Sequence, residues 1–169
     1  PSGSGAVGAT LMHEHIFIDF QSPRPRPQGP AAGPVTLANL GAVRMGLGPP
    51  TSNGFLADFD ESLYEVMEFK YAGGGTIVDM SNIGLGRDPK GLARISNASG
   101  LHVVMGAGWY QKQFHPLDMD QKTVEEMTDA IVRDIVVGVD ATAIRSGVIG
   151  EVGINGNPLT ENERKSTRA

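Results

Sequence analysis

The chain has 169 residues, 40% of them hydrophobic, with a net charge of −5 at pH 7 and no cysteine. This composition suits one globular domain or a large part of one, and it excludes a disulfide framework, a thiolate nucleophile and a cysteine zinc site. Acidic residues are scattered and no Lys/Arg block is present, which argues against nucleic acid as a partner; no apolar stretch approaches the roughly 20 residues of a membrane span. The N-terminal Pro1-Ser2-Gly3-Ser4-Gly5 lacks the charged and apolar regions of a leader. A cytoplasmic location is expected, with a signal removed before residue 1 as the alternative.

The apolar run Ala9-Thr10-Leu11-Met12 leads into His13-Glu14-His15 and then Ile16-Phe17-Ile18, which together read as a first strand. Side chains alternate across a strand, so histidines at i and i+2 share a face with Cα atoms about 6.6 Å apart. Both imidazoles can then reach one ion, and zinc and its transition-series neighbours accept imidazole nitrogen. Two exposed histidines on an edge strand would produce the same pattern, and the motif alone does not separate the two readings. The four histidines are at positions 13, 15, 102 and 115, so any metal must be held by these and by carboxylates.

Residues 21–53 are loaded with Pro and Gly, including Pro23-Arg24-Pro25-Arg26-Pro27 and Gly48-Pro49-Pro50. No regular element is expected there; the stretch is either a lid or a disordered insertion beside the candidate ligands. Regular patterning resumes at Asp58. A helix is expected over 60–71, ended by Gly73-Gly74-Gly75, then a buried strand over Thr76-Ile77-Val78-Asp79-Met80. A second helix over 88–98 closes at Ser99-Gly100, and Leu101 to Ala107 form another strand. From Thr123 to Val137 a third helix opens with the capping box Thr123/Glu126 and carries the stripe Val124, Met127, Ile131 and Ile135. Ser146 to Val152 is a further apolar strand, and a helix with a second capping box, Thr160/Glu163, comes after it.

Strand and helix alternate, with the strands apolar throughout, as parallel strands covered on both faces are. An open doubly wound sheet and part of a (β/α)8 TIM barrel both fit, and the last helix, which has a start signal but no room for an apolar stripe, favours the barrel. In either case ligands bind beyond the carboxyl ends of the strands. The polar residues there are His13 and His15, then Asp79 and Asn82, then Trp109-Tyr110, then Glu151. A carboxylate inside Gly147-Val148-Ile149-Gly150-Glu151-Val152 is costly to bury unpaired. A pair of metal ions about 3.5–4 Å apart would satisfy it as a bridge; a strand-end cap or salt bridge is the simpler alternative.

Gly8-Ala9-Thr10-Leu11-Met12-His13-Glu14-His15-Ile16, Gly75-Thr76-Ile77-Val78-Asp79-Met80-Ser81, Gly86-Arg87-Asp88, Gly106-Ala107-Gly108-Trp109-Tyr110 and Ile144-Arg145-Ser146-Gly147-Val148-Ile149-Gly150-Glu151-Val152-Gly153 resemble, in order and spacing, the phosphotriesterase-like family of the amidohydrolase superfamily. The resemblance covers nearly the whole chain apart from residues 21–53. It implies a (β/α)8 barrel with two divalent metal ions, most commonly zinc, at the strand ends. Residues 1–169 would then be a single partial domain supplying about the first four βα units, with the C-terminal half of the barrel absent.

By the same resemblance His13 and His15 bind the more buried metal and Glu151 bridges both ions, in place of the carbamylated lysine of phosphotriesterases and many lactonases. Tyr110 matches the aromatic position that contacts substrate, a tyrosine in lactonase-like members and a tryptophan in true phosphotriesterases. A hydroxide shared by the two metals would attack a lactone or carboxyl ester, or a phosphotriester, while the more exposed metal polarises the oxygen acting as electrophile. The family's remaining ligands, histidines of strands five and six and an aspartate of strand eight, match no residue of this chain. A homodimer is a candidate assembly.

Other features point elsewhere. Gly84-Leu85-Gly86-Arg87-Asp88-Pro89 lacks the third glycine of a dinucleotide fingerprint and reads as a turn before a helix, and no Gly-x-Ser-x-Gly elbow is present. His102 is expected at the far end of the barrel, His115 in a local loop hydrogen bond, and Glu14 on the face opposite the ligands. Asp79, Arg87 and Asp88 are candidates for bracing loops or orienting the histidines through their free ring nitrogens. The competing function is a noncatalytic or cofactor-binding α/β protein in which the histidines are incidental.

Overall fold

The computed structural model describes residues 7–20, 33–45 and 52–169. In chain order the strands are β1 (Ala9–Glu14), β2 (Ile18–Asp19), β3 (Phe55–Leu56), β4 (Gly74–Asp79), β5 (His102–Ala107) and β6 (Val148–Ile149). The helices are α1 (Leu40–Arg44), α2 (Phe59–Tyr71), α3 (Pro89–Ser99), α4 (Val124–Val136) and α5 (Glu161–Arg168). Strands β1, β4, β5 and β6 pair in parallel in that order, each crossing to the next by way of a helix. The sheet grows in one direction with no switch point, as the wall of a (β/α)8 barrel does.

Local chemistry starts and stops these helices where the sequence signals lie. Asp58 and Asp88 cap α2 and α3 by accepting from the N–H of Glu61 and Gly91 at 2.9 Å each. Both capping boxes form, Thr123 with Glu126 and Thr160 with Glu163. Gly100 ends α3 at φ +70°, a left-handed cap that a side chain would strain. One apolar cluster, including Ile77, Leu92, Ile95 and Met105, packs the sheet against α2 and α3. A second, built on Ala107, Trp109, Met119, Met127 and Ile131, seats α4.

Three expectations change. The one-turn helix α1 lies inside the stretch expected to hold no regular element, and its Asn39 fastens the preceding turn by accepting from the N–H of Thr36 at 2.7 Å. Whether 21–53 is a lid or an insertion falls largely on 21–32 and 46–51, outside the described residues. β2 and β3 form an antiparallel pair that no local pattern announced. The strand expected over 146–152 pairs only at Val148–Ile149, because the Glu151 N–H turns away from β5 toward the Met80 carbonyl. Among the described residues no helix is long and apolar enough to cross a membrane.

Candidate metal centre

His13 lies in β1, His15 one residue past its end and Glu151 two residues past β6, and the sheet's curvature brings all three together. One donor atom from each lies within 4.8 Å of the other two. Glu151 faces both imidazoles: its Oε2 is 3.1 Å from His13 Nε2 and its Oε1 is 3.5 Å from His15 Nε2. The rings stand edge to face, centroids 5.6 Å apart. Leu11 is opposite Ile77 while Glu14 is opposite Asp79, so β1 carries one residue more than β4 over this span, and the irregularity redirects its end.

Electrostatics differ across the trio. Burial lowers the pKa of His15, and the nearby His13 lowers it further, so this imidazole is held neutral. Burial raises the pKa of Glu151, partly offset by the charge and hydrogen bond of His13. His13 is the most open, with 55% of its side chain exposed against 25% for His15 and 17% for Glu151.

The segment after β4 carries the framework behind these groups. Asp79, fully buried, accepts from the N–H of Ile16 at 2.7 Å and of Ser81 at 2.9 Å, tying the residue after His15 to the end of β4. Burial pushes its carboxyl up to about 6 against these bonds. It acts through the backbone, whereas the expected contact with a histidine ring is made by Ser81, whose Oγ lies 3.0 Å from His15 Nδ1. Asn82 donates its amide to the Glu151 carbonyl. Ser81 escaped attention in the sequence because a serine just past an apolar strand has no signature of its own; its neighbour Asp79 was the signal.

Tyr110 lies in the loop after β5 and packs against Gly153, where a Cβ would collide with its ring. That contact places it beside the Glu151 segment, and its ring also meets Phe114, centroids 5.4 Å apart. His115 is buried and its Nε2 is bonded to the Tyr110 carbonyl at 2.7 Å, the local bond expected of it, which braces this loop. His102 is exposed at the opposite end of β5. Arg87 braces loops by pairing with Asp134 and Asp140, and Asp88 caps α3. Glu14 lines, with His15, Ile16, Ser62 and Phe69, a cavity of about 610 Å³ between β1 and α2.

A family model for the phosphotriesterase family matches residues 2–169. The chain belongs to the phosphotriesterase family. It is similar to N-acetyltaurine hydrolase of Bos taurus, 35% identical over 98% of this chain and 48% of that protein. A phosphotriesterase-related protein of Nematostella vectensis is 37% identical over 96% of this chain and 49% of its own length. Among solved structures, a resiniferatoxin-binding protein from Rhodobacter sphaeroides matches with a TM-score of 0.82 and 37% identity, over 95% of this chain and 46% of that one. This phosphotriesterase-family chain therefore spans about half the length of the relatives it matches, and its curled parallel sheet is a partial barrel.

The donor set fits a divalent metal ion. Two imidazoles, one of them held neutral, and a carboxylate penalised by burial are the nitrogen and oxygen ligands that zinc-like ions take. Placing a cation against Glu151 also removes the cost of leaving its charge half-buried.

Proposed function

We propose that this chain carries the first part of the metal centre of a hydrolase. In this reading His13 and His15 hold the more buried of two divalent ions, zinc by preference, and Glu151 bridges the pair. When bound, such ions bring the pKa of water toward about 7 and polarise the scissile carbonyl or phosphoryl oxygen. The chain's own residues prepare for that role. The neutral His15 offers a lone pair without first shedding a proton. Glu151 presents one oxygen to each histidine. Tyr110, seated on Gly153, contacts the substrate at the rim.

The observation that carries the proposal is the convergence of His13, His15 and Glu151 from the two outer strands of the sheet. The substrate class is a lactone or other carboxyl derivative, with a phosphotriester as the alternative. Relatives named N-acetyltaurine hydrolase extend the carboxyl class to N-acyl amides. The test is turnover of a panel of lactones, carboxyl esters, N-acetyltaurine and an organophosphate by zinc-loaded protein that includes this chain. Cleavage of a carboxyl substrate, abolished by a chelator and by Glu151→Ala, is the expected result. Turnover that survives both treatments would overturn the proposal.

A further inference from the structure

Ser81 sits behind His15, and counting its protons decides how that histidine is protonated. The Ser81 Oγ lies 2.7 Å from the Phe17 carbonyl oxygen and 3.0 Å from His15 Nδ1. A hydroxyl has one proton to give, and a carbonyl can only accept, so the proton is directed to Phe17. Asp79, which also hydrogen-bonds the Ser81 side chain, could claim the same proton, but an ionised carboxylate again only accepts. With its proton committed in either direction, the Ser81 oxygen meets the imidazole as an acceptor. His15 must then carry its proton on Nδ1.

We propose that Ser81 is a positioning residue that locks His15 in the Nδ1–H tautomer, leaving the Nε2 lone pair aimed at Glu151 and free for a metal. Nε2 is the His15 atom that lies 3.5 Å from Glu151 Oε1. The lock is itself anchored: Asp79 binds the N–H groups of both Ile16 and Ser81, fixing the histidine and its partner in one backbone frame. The whole support is buried, with Ser81 at 1% exposure and Asp79 at 0%. His13 provides an internal contrast. It is the exposed member of the pair, and its hydrogen bond runs through Nε2 to Glu151. Ser81 thus selects one tautomer at His15 alone, and a hydroxyl there does for a metal ligand what a carboxylate or carbonyl does in many zinc sites.

The inference rests on the proposed metal centre, and two readouts keep them separable. Long-range proton–nitrogen NMR of metal-free, nitrogen-15-labelled protein at about pH 8, above the ordinary histidine range, reports the tautomer directly. Wild-type His15 should show a protonated Nδ1 and an unprotonated Nε2, while His13, whose Nε2 donates to Glu151 at 3.1 Å, shows the opposite pattern. Ser81→Ala should move His15 to an averaged pattern, and Ser81→Thr, which keeps the hydroxyl, should restore the wild-type one. Zinc affinity, by competition with a chelating indicator, should fall about 10–100-fold in Ser81→Ala and recover in Ser81→Thr. A wild-type His15 protonated on Nε2, which needs no variant to observe, would overturn the inference. So would unchanged tautomer and zinc affinity in a folded Ser81→Ala protein. Failure of the wild type to bind zinc would remove the metal centre, while the NMR pattern still decides the role of Ser81.

Discussion

Ion pairs of very different worth lie within this chain, and burial separates them. Arg87 and Asp134 bond at 2.6 Å with only 6% of either side chain exposed, and Arg87 also forks onto Asp140 through two bonds of 3.0 Å. Burial opposes the guanidinium charge, but the bonds from Asp140 and Asp134 outweigh it and raise the pKa. Lys122 and Asp118, four residues apart and 33% and 57% exposed, form a pair screened by water. Arg87→Ala is expected to cost about 3–5 kcal/mol, because it strands the buried Asp134 carboxylate. Lys122→Ala should cost no more than about 0.5 kcal/mol. Urea unfolding checks both values, and equal losses would show that burial does not rank these pairs. The Gly86-Arg87-Asp88 block was visible in the sequence, and the cap at Asp88 arises from local spacing. The partners of Arg87 were not, since Asp134 and Asp140 belong to the next helical unit and a sequence gives no distance between them.

At the scale of elements, the segment carrying Glu151 is held from both sides, by α5 and by β5. Glu163, buried in the first turn of α5, accepts from the N–H of Asn155 and of Thr160 at 2.8 Å each and from the Thr160 hydroxyl at 2.7 Å. Burial pushes its pKa up, but these bonds, led by Thr160, overcome that and hold it at about 2. A carboxylate depressed from 4.5 contributes stability that is fully present above pH 4.5 and lost as pH falls toward about 2. Thermal melts between these limits should steepen in wild type and flatten in Glu163→Gln; parallel curves would rule out this linkage. On the other side, Gly106 of β5 has no room for a Cβ, which would run into the Gly150 carbonyl. Gly106→Ala should cost about 1–3 kcal/mol and weaken metal binding by displacing the segment that leads to Glu151, both measurable in one zinc-dependent melting series. The capping boxes at Thr123 and Thr160 were legible because both partners lie three residues apart. The β2–β3 pair and the brevity of β6 were not, because each depends on where a distant carbonyl or strand edge lies.

Over the whole molecule, four parallel strands run in sequence order and leave β1 and β6 as outer strands. A barrel closes on eight such strands, and this chain matches about half the length of its relatives. The alternation of apolar strands with capped helices was enough to recognise the βα repeat, since both periods are local. The meeting of His13 and His15 with Glu151 was legible only through the ordered blocks of the family resemblance, because no local rule connects residues at opposite ends of a chain. The extra residue in β1 between Leu11 and Glu14 carries no mark of its own in the sequence, because it is defined only by the pairing with β4. Among the described residues one group of three metal donors is present. These 169 residues alone are therefore expected to bind one equivalent of zinc rather than two and to turn over substrate slowly, which titration and a substrate assay would measure.

Elemental analysis of protein purified without chelator tests the metal centre most directly. Wild-type protein should hold zinc or a similar divalent ion, and His13→Ala and Glu151→Ala should lose it while keeping their helical signal. Metal content equal to wild type in both variants would contradict a centre built on these side chains.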